Sequence, residues 1–309
     1  MARYFRKLVL LAKTETTPGT DAVPTGAANA ILATNVSFTP IEGEEVDRDL
    51  MLPYLGDNGI VLAGTHAKID FEIEIAGSGT AGTAPAYGPL LRACGMAEVV
   101  TAGTSVVYNP ISGSFEAVSL YANWDGVNHI LLGCRGNVSL SFAPGKIPHY
   151  KFALVGLLGT VADVALPTAT LTAFKAPLVV SKANTPTFAL HGVSAPGESL
   201  DLDLGQKVEP RLLIGFESIE ITDRNASGTA VIEARPIATI NWFDKAQKRT
   251  RGALSLIHGT VAGNIVQIDA PQVEIGKPSQ GNSQGVITYS LPLRLCPATG
   301  NDELTITVK

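Results

Sequence analysis

A mainly β chain of two tandem β-sandwich or partial-barrel domains, each with at most one short helix, is the fold this sequence predicts. Three observations predict it. First, the second half repeats the landmarks of the first. Ser119-Leu120, Gly126, Asn128, Val138-Ser139-Leu140, Pro144 and Tyr150 to Leu154 are followed, in the same order, by Ser255-Leu256, Gly263-Asn264, Val273-Glu274-Ile275, Pro278 and Tyr289 to Leu293. Second, short runs alternate apolar and polar residues with the period of a half-buried strand. Third, Gly, Pro and Asn interrupt these runs at short intervals, as in sandwiches and barrels.

The elements follow in chain order. Leu8 to Ala12 is apolar but shorter than the core of a signal peptide, and residues 14–33, rich in Thr, Pro, Gly and Ala, read as an extended arm or irregular loop. Residues 40–57 read as a long acidic loop carrying an apolar cluster, Leu50, Met51, Leu52, Tyr54 and Leu55, which is the composition of a docking element. Lys68 to Ile75 alternates strictly and puts Ile69, Phe71, Ile73 and Ile75 on one face. Gly77 to Thr83 has the form GxGxxG but lacks an acidic partner and a βαβ context, so it reads as a flexible loop rather than a nucleotide site. Ala84 to Gly95 reads as a short helix, with Pro89 in its first turn and Gly95 as its stop. Val138, Leu140 and Phe142 alternate, as do Tyr150, Phe152 and Leu154. The boundary between units falls near 160–185, which sets an N-terminal strand or arm over 1–33 and domains over 34–165 and 166–309. An acidic, glycine-containing loop opens each half, Ile41 to Asp47 and Gly197 to Asp203; Leu200, Leu202, Leu204 and Leu212 to Ile214 play the apolar part in the second. Phe243 to Lys248 is the one helix candidate of the second half. Ile287 to Leu295 and Leu304 to Val308 close the chain as alternating strands.

Composition narrows the function. The 309 residues are 45% hydrophobic and only 17% charged, with mean hydropathy +0.21. Such a charge-poor chain fits either an unusually large interior or a surface largely buried against other subunits, and the alternation of apolar residues with Thr, Ser and Ala favours the second. A net charge of −5, with its densest basic run confined to Lys245 to Arg251, argues against tight phosphate binding. Three dispersed cysteines, Cys94, Cys134 and Cys296, form neither a disulfide framework nor a zinc motif. The five histidines lack metal-ligand spacing, and Ser119, Asp125 and His129 lack the context of a nucleophile elbow. No catalytic residue, metal or cofactor is expected, and the chain reads as a non-enzyme.

Several segments together resemble the tail tube (major tail) proteins of long, flexible-tailed bacteriophages. They are Leu10 to Thr20, the Asn35-Val36-Ser37-Phe38 strand leading into Glu42-Gly43-Glu44, and Tyr87 to Gly95 after a strand. The resemblance implies a virion protein whose domains form rings, six domains to a ring, with inner strands closing around a lumen that conducts DNA into the host cell. Two domains per chain imply a trimeric ring with pseudo-sixfold symmetry, a hexamer being the alternative. It implies stacking of rings through a long loop, for which Glu42, Glu44, Glu45, Asp47, Leu50, Met51, Leu52, Tyr54 and Leu55 are the inter-ring candidates. Asp70, Glu72 and Glu74 are candidates for a solvent-facing or lumenal acidic row, the latter letting DNA slide. Its partners are itself, the tape measure, tail terminator and distal tail proteins, and DNA in transit, without a membrane; assembly takes place in the bacterial cytoplasm. A head decoration or capsid-stabilising protein is the alternative reading. A carbohydrate-binding adhesin ranks lower, because aromatic residues are only 6% and Trp124 and Trp242 stand apart.

Overall fold

Alternation resolves into strands in the computed structural model, which describes residues 2–309. The first half comprises β1 (Leu8–Thr14), β2 (Ala30–Ile31), β3 (Thr34–Asp47), β4 (Ile60–Glu74), α1 (Gly88–Ala93), β5 (Met96–Thr101), β6 (Ser105–Pro110), β7 (Val118–Trp124), β8 (Val127–Phe142) and β9 (His149–Asp163). The second comprises β10 (Thr187–Leu190), β11 (Gly197–Asp203), β12 (Gln206–Leu213), β13 (Phe216–Arg224), β14 (Ser227–Glu233), α2 (Trp242–Gln247), β15 (Arg251–His258), β16 (Val266–Ile275), β17 (Ser279–Ser283), β18 (Val286–Cys296) and β19 (Thr305–Val308).

One pairing order recurs. In the first half the antiparallel neighbours run β2, β1, β7, β8, β9, β4, β3. In the second they run β10, β15, β16, β18, β14, β11. So β1 matches β10, β7 matches β15, β8 matches β16, β9 matches β18, β4 matches β14 and β3 matches β11. β17 prolongs the line of β16 beside β18, and β19 runs beside the start of β16. The halves are joined twice within one sheet: Leu200–Asp203 of β11 lies against Ser139–Phe142 of β8, and β19 lies against β6. The sheet does not close into a barrel. Among the described residues β3 pairs only with β4, and β17 only with β18.

The core lies on one face of this sheet. Ile69, Phe71, Ile73 and Ile75 are at most 2% exposed, and Phe71 packs on Phe152 with ring centroids 5.6 Å apart. The same layer continues without a break through Leu140, Leu202, Ala230, Leu293 and Ile275. Leu90 and Leu91 of α1 cover it. That helix ends where expected: Cys94 caps it and Gly95 follows at φ +73°. In the second half, α2 forms because the Asn241 side chain accepts the Asp244 N–H at 3.0 Å. Its Trp242 is buried against His191.

Four expectations need correction. The acidic segments Ile41 to Asp47 and Gly197 to Asp203 are strands, not loops, because each finds an antiparallel partner, β4 and β14. The loop expected over 40–57 is therefore the far stem of a long hairpin with a tip at 48–59. The Gly77–Thr83 stretch is not a free loop, since the Gly77 N–H donates to Asn264 at 2.8 Å and a Cβ there would collide with the Gly263 carbonyl. The 14–33 segment contributes to the core through Ala30, Ile31 and a buried Glu15. Finally, the register differs from the letter match. Leu140 faces Tyr150 while Ile275 faces Leu293, so Tyr150 corresponds to Leu293 and not to Tyr289. The offset of four residues keeps the same face, which is why the sequence pattern survived it.

Candidate functional site

The sheet presents a polar face opposite its core. Asp70, Glu72 and Glu74 alternate with the buried isoleucines and Phe71 of β4 and point away from them. Across the ladder Glu72 meets Lys151, at 3.9 Å, and accepts the Asn35 side-chain amide at 2.9 Å. Partial burial pushes the Asp70 carboxyl above its usual range, against the opposing pull of Lys68. Beyond β9 the same face carries Ser139 and Ser141, registered against Asp203 and Asp201 of β11. A shallow depression of about 310 Å³ lies there, lined by Ser139, Ser141, Lys151, Asp201, Asp203 and Thr229. Sequence reasoning missed that Asp201 and Asp203 extend the β4 row. The Leu200-Asp201-Leu202-Asp203-Leu204 alternation was the available signal.

Two hairpins project from the sheet at matching places. In the first, Glu44, Glu45 and Asp47 of β3 are exposed, and Glu42 pairs with Lys68 at 2.6 Å and with His66 at 3.7 Å. The tip exposes Leu50, Met51, Leu52, Tyr54 and Leu55, with Met51 and Leu55 fully accessible. Ile60, Val61 and Leu62 extend this exposed apolar surface down β4; sequence reasoning made no assignment for them. The second hairpin, β12–β13, swings out at Gly205, where φ is +67° and a Cβ would strike the Asn225 carbonyl. Its tip exposes Leu213, Ile214 and Phe216.

The second hairpin is held on the first half. The buried Arg135 of β8 donates to Glu220 at 2.7 Å, to the Ile219 carbonyl at 2.6 Å and to the Phe115 carbonyl at 2.7 Å. Gln206 donates to the Cys94 carbonyl at 2.9 Å, at the end of α1. Arg224 pairs with Glu303 and donates to the Ile111 carbonyl at 2.6 Å. Ile219 and Ile221 are buried beneath.

The remaining polar groups serve the fold. His258 contacts Thr185 through Nδ1 at 2.9 Å and the Leu178 carbonyl through Nε2 at 3.1 Å, and burial lowers its pKa. Among the described residues no cluster of His, Cys, Asp and Glu is arranged to hold a metal, and all three cysteines are free. Trp124 does not stand alone. It stacks on Phe38 at 4.9 Å, with His129 edge-on, beside Tyr4 and Phe5 in an open groove of about 570 Å³.

Open sheet edges, exposed apolar hairpin tips and a duplicated β unit define a structural subunit rather than a free-standing monomer. A family model described as phage tail tube protein matches residues 6–295, and the chain belongs to that family. No curated protein matches the sequence. The chain is thus a structural protein of the phage tail, and as a family member it assembles with copies of itself and with other tail proteins.

Proposed function

We propose that three copies of this chain form a ring with pseudo-sixfold symmetry, and that stacked rings make the tube through which phage DNA passes into the host. The chain then acts as two tube units, 34–165 and 166–309, with residues 1–33 lending β1 and β2 to the first, and catalyses no reaction. The carrying observation is the join between β8 and β11. β3 stands where β11 stands, but among the described residues its outer edge is unpaired. β17 continues the line of β16, the match of β8, and among the described residues its outer edge is unpaired too. Pairing β17 of one copy with β3 of the next repeats between copies the join already made within the chain. Such a contact is heterologous, and a heterologous contact closes into a ring when its rotation permits. Closure removes both edges, which otherwise invite uncontrolled association.

The polar face then lines the lumen, with Asp70, Glu72 and Glu74 joined by Asp201 and Asp203. A wall in which carboxylates outnumber Lys68 and Lys151 repels phosphates and leaves DNA mobile. The apolar tip from Leu50 to Leu55 is placed to reach the next ring. Tape measure, terminator and distal tail proteins meet the ends of the tube, which is built in the bacterial cytoplasm before incorporation into the virion. Sedimentation velocity over a concentration series tests the ring: a species of three chain masses, then polymers, is expected. A six-chain species would overturn the stoichiometry.

A further inference from the structure

Each half carries a projecting hairpin, but among the described residues only one has a seat inside the chain. β12–β13 leaves the sheet at the join with β8 and settles where α1 ends and β7 begins, held by Arg135 to Glu220 and Gln206 to the Cys94 carbonyl. The matching hairpin, the far part of β3–β4, carries Glu42, Glu44, Glu45 and Asp47. Among the described residues, only Glu42 of these four has a cationic partner. The place that matches its seat lies in the second half, where α2 ends and β15 begins. That turn holds Lys248, Arg249 and Arg251, whose side chains are 69%, 76% and 47% exposed. Lys248 pairs with Asp244 at 2.9 Å, and the two arginines share one carboxylate, Glu274, at 3.1 and 3.6 Å, so the turn keeps one surplus positive charge.

From this we infer that the β3–β4 stem of one copy seats on the α2–β15 turn of the next copy around the ring, with Glu42, Glu44, Glu45 and Asp47 facing Lys248, Arg249 and Arg251. The inference rests on the ring reading above and names its lateral contact. Two features argue for a second copy as the occupant. The chain already seats the matching hairpin on its own first half, with the hairpin carboxylate Glu220 on Arg135 of β8. The charges of stem and turn are also opposite, which favours encounter and fixes register. The tip, past the stem, stays free to meet the next ring.

A charge swap tests it. E44K/E45K alone and R249E/R251E alone should each lower the polymer formed at a fixed protein concentration by on the order of tenfold, and the four changes together should restore most of it. Either one-sided variant polymerising like wild type, or the combined variant doing no better than its parents, overturns the contact. Because R249E/R251E also faces Glu274, a second measurement is independent of charge reversal. In a Cys296→Ser background, Glu45→Cys and Arg249→Cys are bridged by a short bismaleimide in assembled protein. Covalent ladders ending at the ring's chain number support the contact; their absence from assembled material overturns it. Wild-type protein run alongside separates the two claims. If it forms rings while the swap and the cross-link fail, only this contact falls; if it forms none, the ring reading falls with it.

Discussion

Single residues set the stability of the sheet. Ile69 is fully buried in the core layer, opposite Leu154 of β9 in the sheet, so Ile69→Ala removes apolar contact and leaves a cavity. We expect it to cost about 2–5 kcal/mol in denaturant unfolding of the unassembled chain. Arg135 stabilises in another way. Its removal frees Glu220 and the Ile219 and Phe115 carbonyls at once, so Arg135→Ala should cost about 3 kcal/mol and make residues 206–224 the first site of limited proteolysis. Unchanged proteolysis would mean that Ile219 and Ile221 alone hold the hairpin. His258 gives a pH signature. Its neutral ring donates from Nε2 to the Leu178 carbonyl and accepts the Thr185 hydroxyl at Nδ1, clamping the 178–185 segment onto β15. Burial lowers its folded pKa below the usual imidazole value of about 6.5. The clamp therefore contributes fully above that value and is lost as pH falls through the lower, folded one. Lowering the pH from 7.5 to 5 should reduce the denaturation midpoint of wild type more than that of His258→Gln. Parallel losses in the two proteins would exclude the clamp.

At the scale of elements, strands were legible wherever alternation was strict and one face was buried, as in Lys68–Ile75 and Tyr150–Leu154. The α1 helix was legible from Pro89 and Gly95. Ile41–Asp47 misled because charge on both faces conceals a period of two, and Gly197–Asp203 because its charge outweighed the alternation of Leu200 to Leu204; the long-range partner, β4 or β14, makes each a strand. The seat of β12–β13 left no trace in the sequence, since Arg135 and Glu220 meet through the fold. Of the site candidates, the β4 carboxylate row was legible from period alone, whereas Asp201 and Asp203 join it only through the β8–β11 register. The β3–β4 tip carries its own prediction. Met51→Ser, Leu52→Ser and Leu55→Ser together touch no core and should leave folding unchanged, while rings form but fail to stack in electron micrographs. Normal tubes from this variant would remove the tip from inter-ring docking.

For the whole molecule, the recurring strand order joins residue chemistry to assembly. A sheet that repeats its own pairing once inside the chain, and leaves matching edges at both ends, is built to continue into another copy. The polar face follows that continuity. Replacing Asp70, Glu72 and Glu74 with Lys should give tubes that retain double-stranded DNA at low salt and release it as salt rises; free passage at every salt concentration would deny this face a lumenal role. The central claim is that one chain supplies two of six ring positions. Electron microscopy of rings and tubes assembled from purified protein, averaged down the tube axis, tests it most directly. The account predicts threefold averages in which six similar lobes alternate in two shapes. Rings of six chains, each contributing a pair of lobes, would contradict it.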